Sequence, residues 1–208
     1  MKLPISTEGF IFIKSALLFS IAFYILNRYH WLFYLLSGVC FFLFCFFLVF
    51  FRDPDRKIIQ DNKVILSPAD GTVFEIEQKA DFKIVKIFMS PLNVHVQRAP
   101  FSGTVKSIQY KKGAYLPAYV PKSSDLNEQN VITLSGEDFE SDIKQIAGIM
   151  VRRIVCWVKE GDKVIQGQRI GMIKFGSQVD ISIDKKIEVT VKPKQKVKAG
   201  LTILGKIK

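Results

Sequence analysis

Apolar side chains run almost unbroken up to residue 51, and beyond that point they come in short stretches punctuated by Gly, Pro and charge. Two apolar runs, residues 10–26 and 31–51, flank the link Asn27-Arg28-Tyr29-His30. The second run carries no charge and has the length needed to cross a hydrocarbon core of about 30 Å. The first is shorter and contains Lys14, whose flexible stem can snorkel toward an interface. Tyr29, His30 and Trp31 are of the polar-aromatic type found at membrane–water boundaries. The pattern predicts one or two hydrophobic helices over residues 1–51 that act as a membrane anchor, either crossing twice or dipping into one leaflet as a hairpin. A cleavable signal peptide fits poorly, because the apolar stretch is too long and no small-residue cleavage site follows it. Arg52, Arg56 and Lys57 directly follow the second run, which by the positive-inside rule places the rest of the chain on the cytoplasmic side of the cell (inner or plasma) membrane.

From residue 52 the period shortens. Residues 83–88, 103–110, 149–158 and 187–191 are rich in β-branched side chains, turn residues separate them, and no long amphipathic helix is visible. Residues 52–208 are therefore expected to form one mainly β domain. Two internal echoes add detail. Ser67-Pro68-Ala69-Asp70-Gly71-Thr72-Val73 returns as Ala99-Pro100-Phe101-Ser102-Gly103-Thr104-Val105, 32 residues later. The spacing of Val158, Lys159, Lys163, Val164, Gly167 and Ile170 returns 33 residues later at Val191, Lys192, Lys196, Val197, Gly200 and Ile203. Near-equal offsets predict two pseudo-symmetric β-units in a flattened barrel or sandwich. The stretch from Gly161 to Gly171 resembles the hairpin turns of biotinyl and lipoyl carrier domains. A membrane-tethered carrier or scaffold is accordingly the rival to an enzyme, with Lys174 as the side chain that would be modified. The methionine-flanked pattern of such a lysine is missing here.

Charge narrows the partners. Of 30 basic and 19 acidic residues, only Lys2, Lys14, Arg28 and Glu8 precede residue 52, which leaves 27 and 18 and a formal charge of +9 on the β domain. An anionic partner is implied. Next to an apolar anchor an anionic membrane surface is favoured, at about 1 kcal/mol per juxtamembrane Lys or Arg, and no signature of nucleic-acid binding accompanies the charge. Cys40, Cys45 and Cys156 form neither a metal-binding spacing nor a disulfide framework.

Few residues could do chemistry. His30 lies between the apolar runs, so His95 is the one histidine of the β domain, and with no cysteine cluster a metal site is not expected. Singly, each candidate has a bland reading. His95 sits among valines, as core histidines do. Asp70 in Ser-Pro-Ala-Asp-Gly suits a turn that caps its own backbone. Ser177 follows a glycine in a loop.

Together they match something specific. Phe-Arg-Asp-Pro-Asp-Arg at 51–56, Ser-Pro-Ala-Asp-Gly-Thr-Val at 67–73, residues 88–105, Asn-Glu-Gln-Asn at 127–130, residues 145–155 and residues 167–180 occur in order along the β domain. This set resembles the phosphatidylserine decarboxylase proenzyme family in its short form, which also carries an apolar N-terminal anchor. The resemblance implies self-cleavage at Gly176–Ser177 into parts 52–176 and 177–208. Attack of the Ser177 hydroxyl on the Gly176 carbonyl carbon gives an ester. Elimination and hydrolysis then leave a pyruvoyl group at residue 177 as the covalent cofactor, with no metal. A carbonyl next to glycine is open to attack. A serine hydroxyl needs a base, so His95 oriented by Asp70 would complete a Ser-His-Asp set. In the mature enzyme the substrate amine would condense with the pyruvoyl carbonyl as a Schiff base, which acts as electron sink for loss of carbon dioxide, with His95 as proton donor. The implied partners are a phospholipid substrate, an anionic membrane surface, and large and small subunits held as a heterodimer, with a higher homo-oligomer left open.

The chain departs from the longer family members at two places. Arg98 stands where they have a second histidine, three positions after the first, and Phe-Gly-Ser-Gln replaces a Leu-Gly-Ser-Thr motif at the cleavage site. His95 alone, or His95 with Arg98 and ordered water, must then serve both stages. Arg98, Arg152 and Arg153 are candidates for the substrate phosphate or carboxylate, because guanidinium forks suit both. A surface role is an equal reading for each.

Overall fold

The computed structural model describes residues 4–114, 126–148, 153–174 and 177–207. The chain forms two compact units that divide between Asp55 and Arg56. In the first, helices α1 (Phe10–Leu26) and α2 (Trp31–Phe50) coincide with the two apolar runs. His30 starts α2, its Nδ1 accepting the Leu32 N–H at 3.1 Å, as N-cap residues do. The helices pair through two serines: Ser20 Oγ donates to the Ser37 carbonyl at 3.1 Å and Ser37 Oγ to the Ser20 carbonyl at 2.9 Å. Small hydroxylated residues let apolar helices approach closely and satisfy each other where water is absent. Phe12 stacks on Phe51 at 5.3 Å between ring centres. The helical stretch Thr7–Leu26, which is α1 with the turn before it, and α2 are each long and apolar enough to cross a membrane.

The second unit is mainly β. Its strands are β1 (Val64–Leu66), β2 (Gly71–Gln78), β3 (Phe82–Met89), β4 (Val96–Arg98), β5 (Gly103–Lys111), β6 (Gln129–Ser135) and β7 (Glu140–Ala147). They continue as β8 (Ile154–Cys156), β9 (Lys163–Val164), β10 (Arg169–Ile173), β11 (Ser177–Asp184), β12 (Glu188–Val189), β13 (Lys196–Val197) and β14 (Ile203–Lys206). Eight form a curled half-barrel sheet in the order β13-β2-β3-β11-β7-β6-β5-β9, and two three-stranded sheets run β1-β14-β12 and β4-β10-β8. The expected strands at 83–88 and 103–110 fall inside β3 and β5. Those at 149–158 and 187–191 shorten to β8 and β12, with residues 149–152 outside the described ones.

The two sequence echoes correspond to matched hydrogen bonds. Gly71 and Thr72 pair with Val197 and Lys196, while Gly103 and Thr104 pair with Val164 and Lys163. The Gly200 amide donates to Ser67 O and the Gly167 amide to Ala99 O, both at 2.8 Å. Leu66 N donates to Pro100 O and Arg98 N to Pro68 O, both at 2.9 Å, so each echo holds the other reciprocally. Exchanging β13 with β9, β2 with β5, β3 with β6 and β11 with β7 leaves the large sheet's order unchanged, and Ile181 faces Ile143 at its centre. One unit is contiguous, β4 to β10. The other is split into β1–β3 and β11–β14. Ser177 thus begins the segment in which the chain returns to complete the split unit.

Side chains alternate across the large sheet as the pleat dictates. Val85, Ile87 and Met89 of β3 join Val179, Ile181 and Ile183 of β11 and Ile143 of β7 in the buried core. The opposite face presents Lys86, Lys144, Asp180 and Ser182 to a pocket of about 440 Å³.

Candidate active site

Asp70 closes the turn between β1 and β2 and is buried. Its Oδ1 accepts the Ala199 amide at 2.7 Å. The matching position in the other unit is Ser102, whose Oγ accepts the Gln166 amide at 3.0 Å. Both side chains therefore cap the residue before a left-handed glycine, Gly200 (φ +70°) or Gly167 (φ +81°). A neutral hydroxyl suffices for that task, so the charge at Asp70 has a further partner. Arg56 supplies it: Nη1 lies 2.6 Å from Oδ1, Nη2 lies 2.8 Å from Oδ2, and Nη1 also donates to the Ala199 carbonyl at 2.5 Å.

His95 precedes β4 and is fully buried. Its Nδ1 lies 2.9 Å from the Asn93 carbonyl oxygen. A carbonyl only accepts, so Nδ1 carries a proton in this contact, and the bond fixes the orientation of the ring. Asn93 is itself fixed, its Oδ1 accepting the Ser90 N–H and Ser90 Oγ–H, both at 2.8 Å. Asn93 is thus the group that orients the imidazole, while the Asp70 carboxylate is held by Arg56 and Ala199.

Below His95 runs a file of buried amides that sequence reading missed, apart from the Asn-Glu-Gln-Asn motif. Asn130 Nδ2 donates to Gln145 Oε1 and Gln145 Nε2 to Gln97 Oε1, each at 2.9 Å, and Gln97 Nε2 donates to the His95 carbonyl at 2.7 Å. Part of the signal was available: Gln145 is a polar residue whose neighbours on the same face of β7, Ile143 and Ala147, are apolar. Gly171 of β10 admits this file, because a Cβ there would lie 2.7 Å from Gln145 Nε2 and 2.4 Å from Val155 O. Asn127, of the same motif, donates to Ala147 O at 2.9 Å, and Ala147 pairs with Ser177.

The strand pairings gather these pieces. The Ile173 amide donates to the His95 carbonyl at 3.3 Å, and Ser177, four residues on, heads β11 between Met89 of β3 and Ala147 of β7. Four residues span at most about 14 Å. Gly176 and Arg152 lie outside the described residues. Arg98 is buried, its Nη1 donating to the Gly167 carbonyl at 3.0 Å, while Arg153 is exposed. Lys174 is 6% exposed.

The family profile described as phosphatidylserine decarboxylase matches residues 43–205. A Methanosarcina acetivorans protein, provisionally named an archaetidylserine decarboxylase proenzyme, is 45% identical over 78% of this chain and 76% of its own. The phosphatidylserine decarboxylase proenzyme of Solibacter usitatus is 44% identical over 79% of each chain. That of Carboxydothermus hydrogenoformans is 41% identical over 83% of this chain and 85% of its own. With the profile covering both strand segments that carry Asp70, His95 and Ser177, the chain belongs to the phosphatidylserine decarboxylase family.

Proposed function

We propose that this chain is the proenzyme of a membrane-anchored phosphatidylserine decarboxylase that cuts itself between Gly176 and Ser177. The observation that carries this reading is the fixed orientation of His95: a fully buried imidazole whose Nδ1 donates to the Asn93 carbonyl, placed just before β4, whose neighbour β10 runs on toward Ser177. Nε2 takes the Ser177 hydroxyl proton as the oxygen attacks the Gly176 carbonyl carbon, and returns it to the departing nitrogen. Asp70 contributes a buried negative charge on the neighbouring turn, with Arg56 as counter-ion.

The residue left at position 177 is a pyruvoyl group, which supplies a carbonyl electrophile and electron sink for decarboxylation to phosphatidylethanolamine and carbon dioxide. The surroundings suit such a group. β11 is hydrogen-bonded on both sides, so its first residue is positioned by backbone alone, and the core behind it is apolar. His95 holds the proton delivered to the product carbon. The same pairing supports a large and a small subunit that stay together, because the ladders of residues 177–184 with β3 and of 177–181 with β7 do not depend on the 176–177 bond.

Relatives bearing phosphatidylserine and archaetidylserine names share the core similarity, which supports recognition of the serine headgroup over the ester or ether chains. The apolar helices and the basic residues after them support a cytoplasmic domain facing an anionic membrane. The carrier-like hairpin turns recur in the two glycine loops, but a Lys174 that is 6% exposed cannot be presented to a modifying enzyme. Intact mass spectrometry is the test. Wild type should give chains 1–176 and 177–208, the smaller lacking the mass of ammonia, and Ser177→Ala should give one uncut, inactive chain. A wild type that stays whole after folding in membranes would overturn the reading.

A further inference from the structure

Residues 56–61 cross both glycine loops of the β unit. A Cβ at Gly167 would lie 2.2 Å from Ile58 Cδ1 and one at Gly200 3.1 Å from it, so Ile58 packs between the two loops. Gln60 Nε2 donates to the Gln166 carbonyl and the Asp61 amide to Gln166 Oε1, each at 2.9 Å. This strap and the two turns it binds expose three large aliphatic side chains: Ile59 (85% exposed), Ile165 (63%) and Leu201 (45%). Each belongs to the strap or to a turn that touches it. Ile165 and Leu201 bracket the turns closed by Gln168 N to Ile165 O at 2.9 Å and Leu201 N to Lys198 O at 3.1 Å.

The charge around them is mainly basic. Lys57 is next to Ile59, Lys198 opens the turn that ends at Leu201, and Lys163 and Lys196 lead into the two turns; all four are exposed. Two exposed carboxylates share the region, Asp61 and Asp162, and each also caps a backbone amide, that of Lys63 or Lys159, at 2.8 Å. Isolated aliphatic tips ringed by lysines are the composition of a surface that dips into the headgroup layer of an anionic bilayer. Only seven residues lie between Phe51 and Ile59, a reach of at most about 28 Å. The strap also ties this face to the candidate site, since Arg56 begins it and holds Asp70.

We propose that Ile59, Ile165 and Leu201, with Lys57 and Lys198, form the face by which the β unit docks on an anionic lipid surface, separately from the anchor helices. The proposal rests on the lipid-substrate reading only for its purpose, not for its geometry.

The full chain is reconstituted into vesicles of equal parts phosphatidylcholine and phosphatidylglycerol, with an environment-sensitive fluorescent amino acid at position 59, 165 or 201. Tyr110, 60% exposed at the other end of β5, is the control position. Emission should shift to the blue at the three positions and stay unshifted at 110, and the shift should shrink in pure phosphatidylcholine. Emission at 59, 165 and 201 matching that at 110 would overturn the proposal, and an equal shift in both lipids would remove the lysines from it. As a second measurement, the triple variant Ile59→Ser, Ile165→Ser, Leu201→Ser should keep self-cleavage and turnover of detergent-dispersed substrate but lose turnover of substrate in vesicles. Unchanged vesicle turnover would count against docking. A blue shift in a wild type that never decarboxylates would support docking and sink the enzymatic reading instead.

Discussion

Arg56 lays its guanidinium across the Asp70 carboxylate in a two-point contact of 2.6 and 2.8 Å, and between them the two residues hold both backbone groups of Ala199. Under the proposed cleavage Ala199 would lie in the small chain, and a link between the two chains would then depend on a buried ion pair. Removing one member leaves the other charge buried. Arg56→Gln should therefore destabilise the protein by about 3–5 kcal/mol. The double variant Arg56→Gln, Asp70→Ser copies the neutral cap that Ser102 provides in the other unit, and should recover most of that loss. Urea midpoints of the two variants check this. Equal losses would mean that the charge on Asp70 is not what Arg56 answers.

The amide file behind His95 makes a second prediction. Gln145→Met keeps the volume but strips the partners from Asn130 Nδ2 and Gln97 Oε1, both buried. Leaving buried polar groups unsatisfied costs about 1–3 kcal/mol each. Stability should fall by that order. Self-cleavage should slow as well, because Gln97 then holds the His95 carbonyl less firmly. The rate of appearance of the 177–208 fragment reads the second effect independently of the first.

The paired loops allow a comparison between equivalent sites. Lys194, at φ +71°, stands where the other unit has Gly161 at φ +87°. A left-handed residue with a Cβ costs roughly 1–2 kcal/mol, partly offset by the smaller chain entropy that a non-glycine loses on folding. Lys194→Gly should thus be neutral to mildly stabilising. Gly161→Ala meets open space and should cost only the backbone term, while Gly167→Ala drives a methyl into Ile58 and should cost clearly more. Thermal melts of the three variants rank them, and a Gly161→Ala as damaging as Gly167→Ala would show that Ile58 yields.

Much of this fold is legible because its signals are local. Long apolar runs mark α1 and α2 to within a residue, and the echoes at 32 and 33 residues announce units whose hydrogen bonds then match pair by pair. What the chain does not reveal is long-range. Nothing near Asp70 in sequence points to Arg56 or Ala199, and nothing near His95 points to Gln145. The expected Asp70–His95 partnership rested on the residue types of a Ser-His-Asp set. Asn93, two residues from His95, provides a carbonyl that holds the ring at Nδ1, an interaction through a main-chain atom that a reading of side-chain types overlooks. The split unit is likewise invisible locally, since it appears only when β11 is seen between β3 and β7.

The face of the large sheet away from the core gives a prediction in pH. Lys86 Nζ lies 2.8 Å from Glu75 and 2.9 Å from Glu77, and Glu77 also pairs with Lys79. The bond from Lys79, then that from Lys86, hold the Glu77 carboxyl below its ordinary 4.5 against a smaller effect of burial. For Lys86, burial is the largest single influence and lowers its affinity for the proton, but the bonds to Glu75 and Glu77 together outweigh it and raise the ammonium above 10.5. The two signs set opposite edges. A depressed carboxyl adds stability that is full above its unfolded value and lost as pH falls through the folded one, so the Glu77 contribution disappears below 4.5. A raised ammonium adds stability that is full below 10.5 and lost as pH climbs through its higher folded value. Melting temperature should therefore be level across neutral pH and drop at both ends. Lys86→Met should soften both drops, removing the alkaline one at this site and leaving Glu77 with Lys79 alone. Because Glu75 and Glu77 are partly open to solvent, salt should shrink the acid-side effect. An unchanged melting profile in Lys86→Met would show that these charges, though close, do not couple folding to protons.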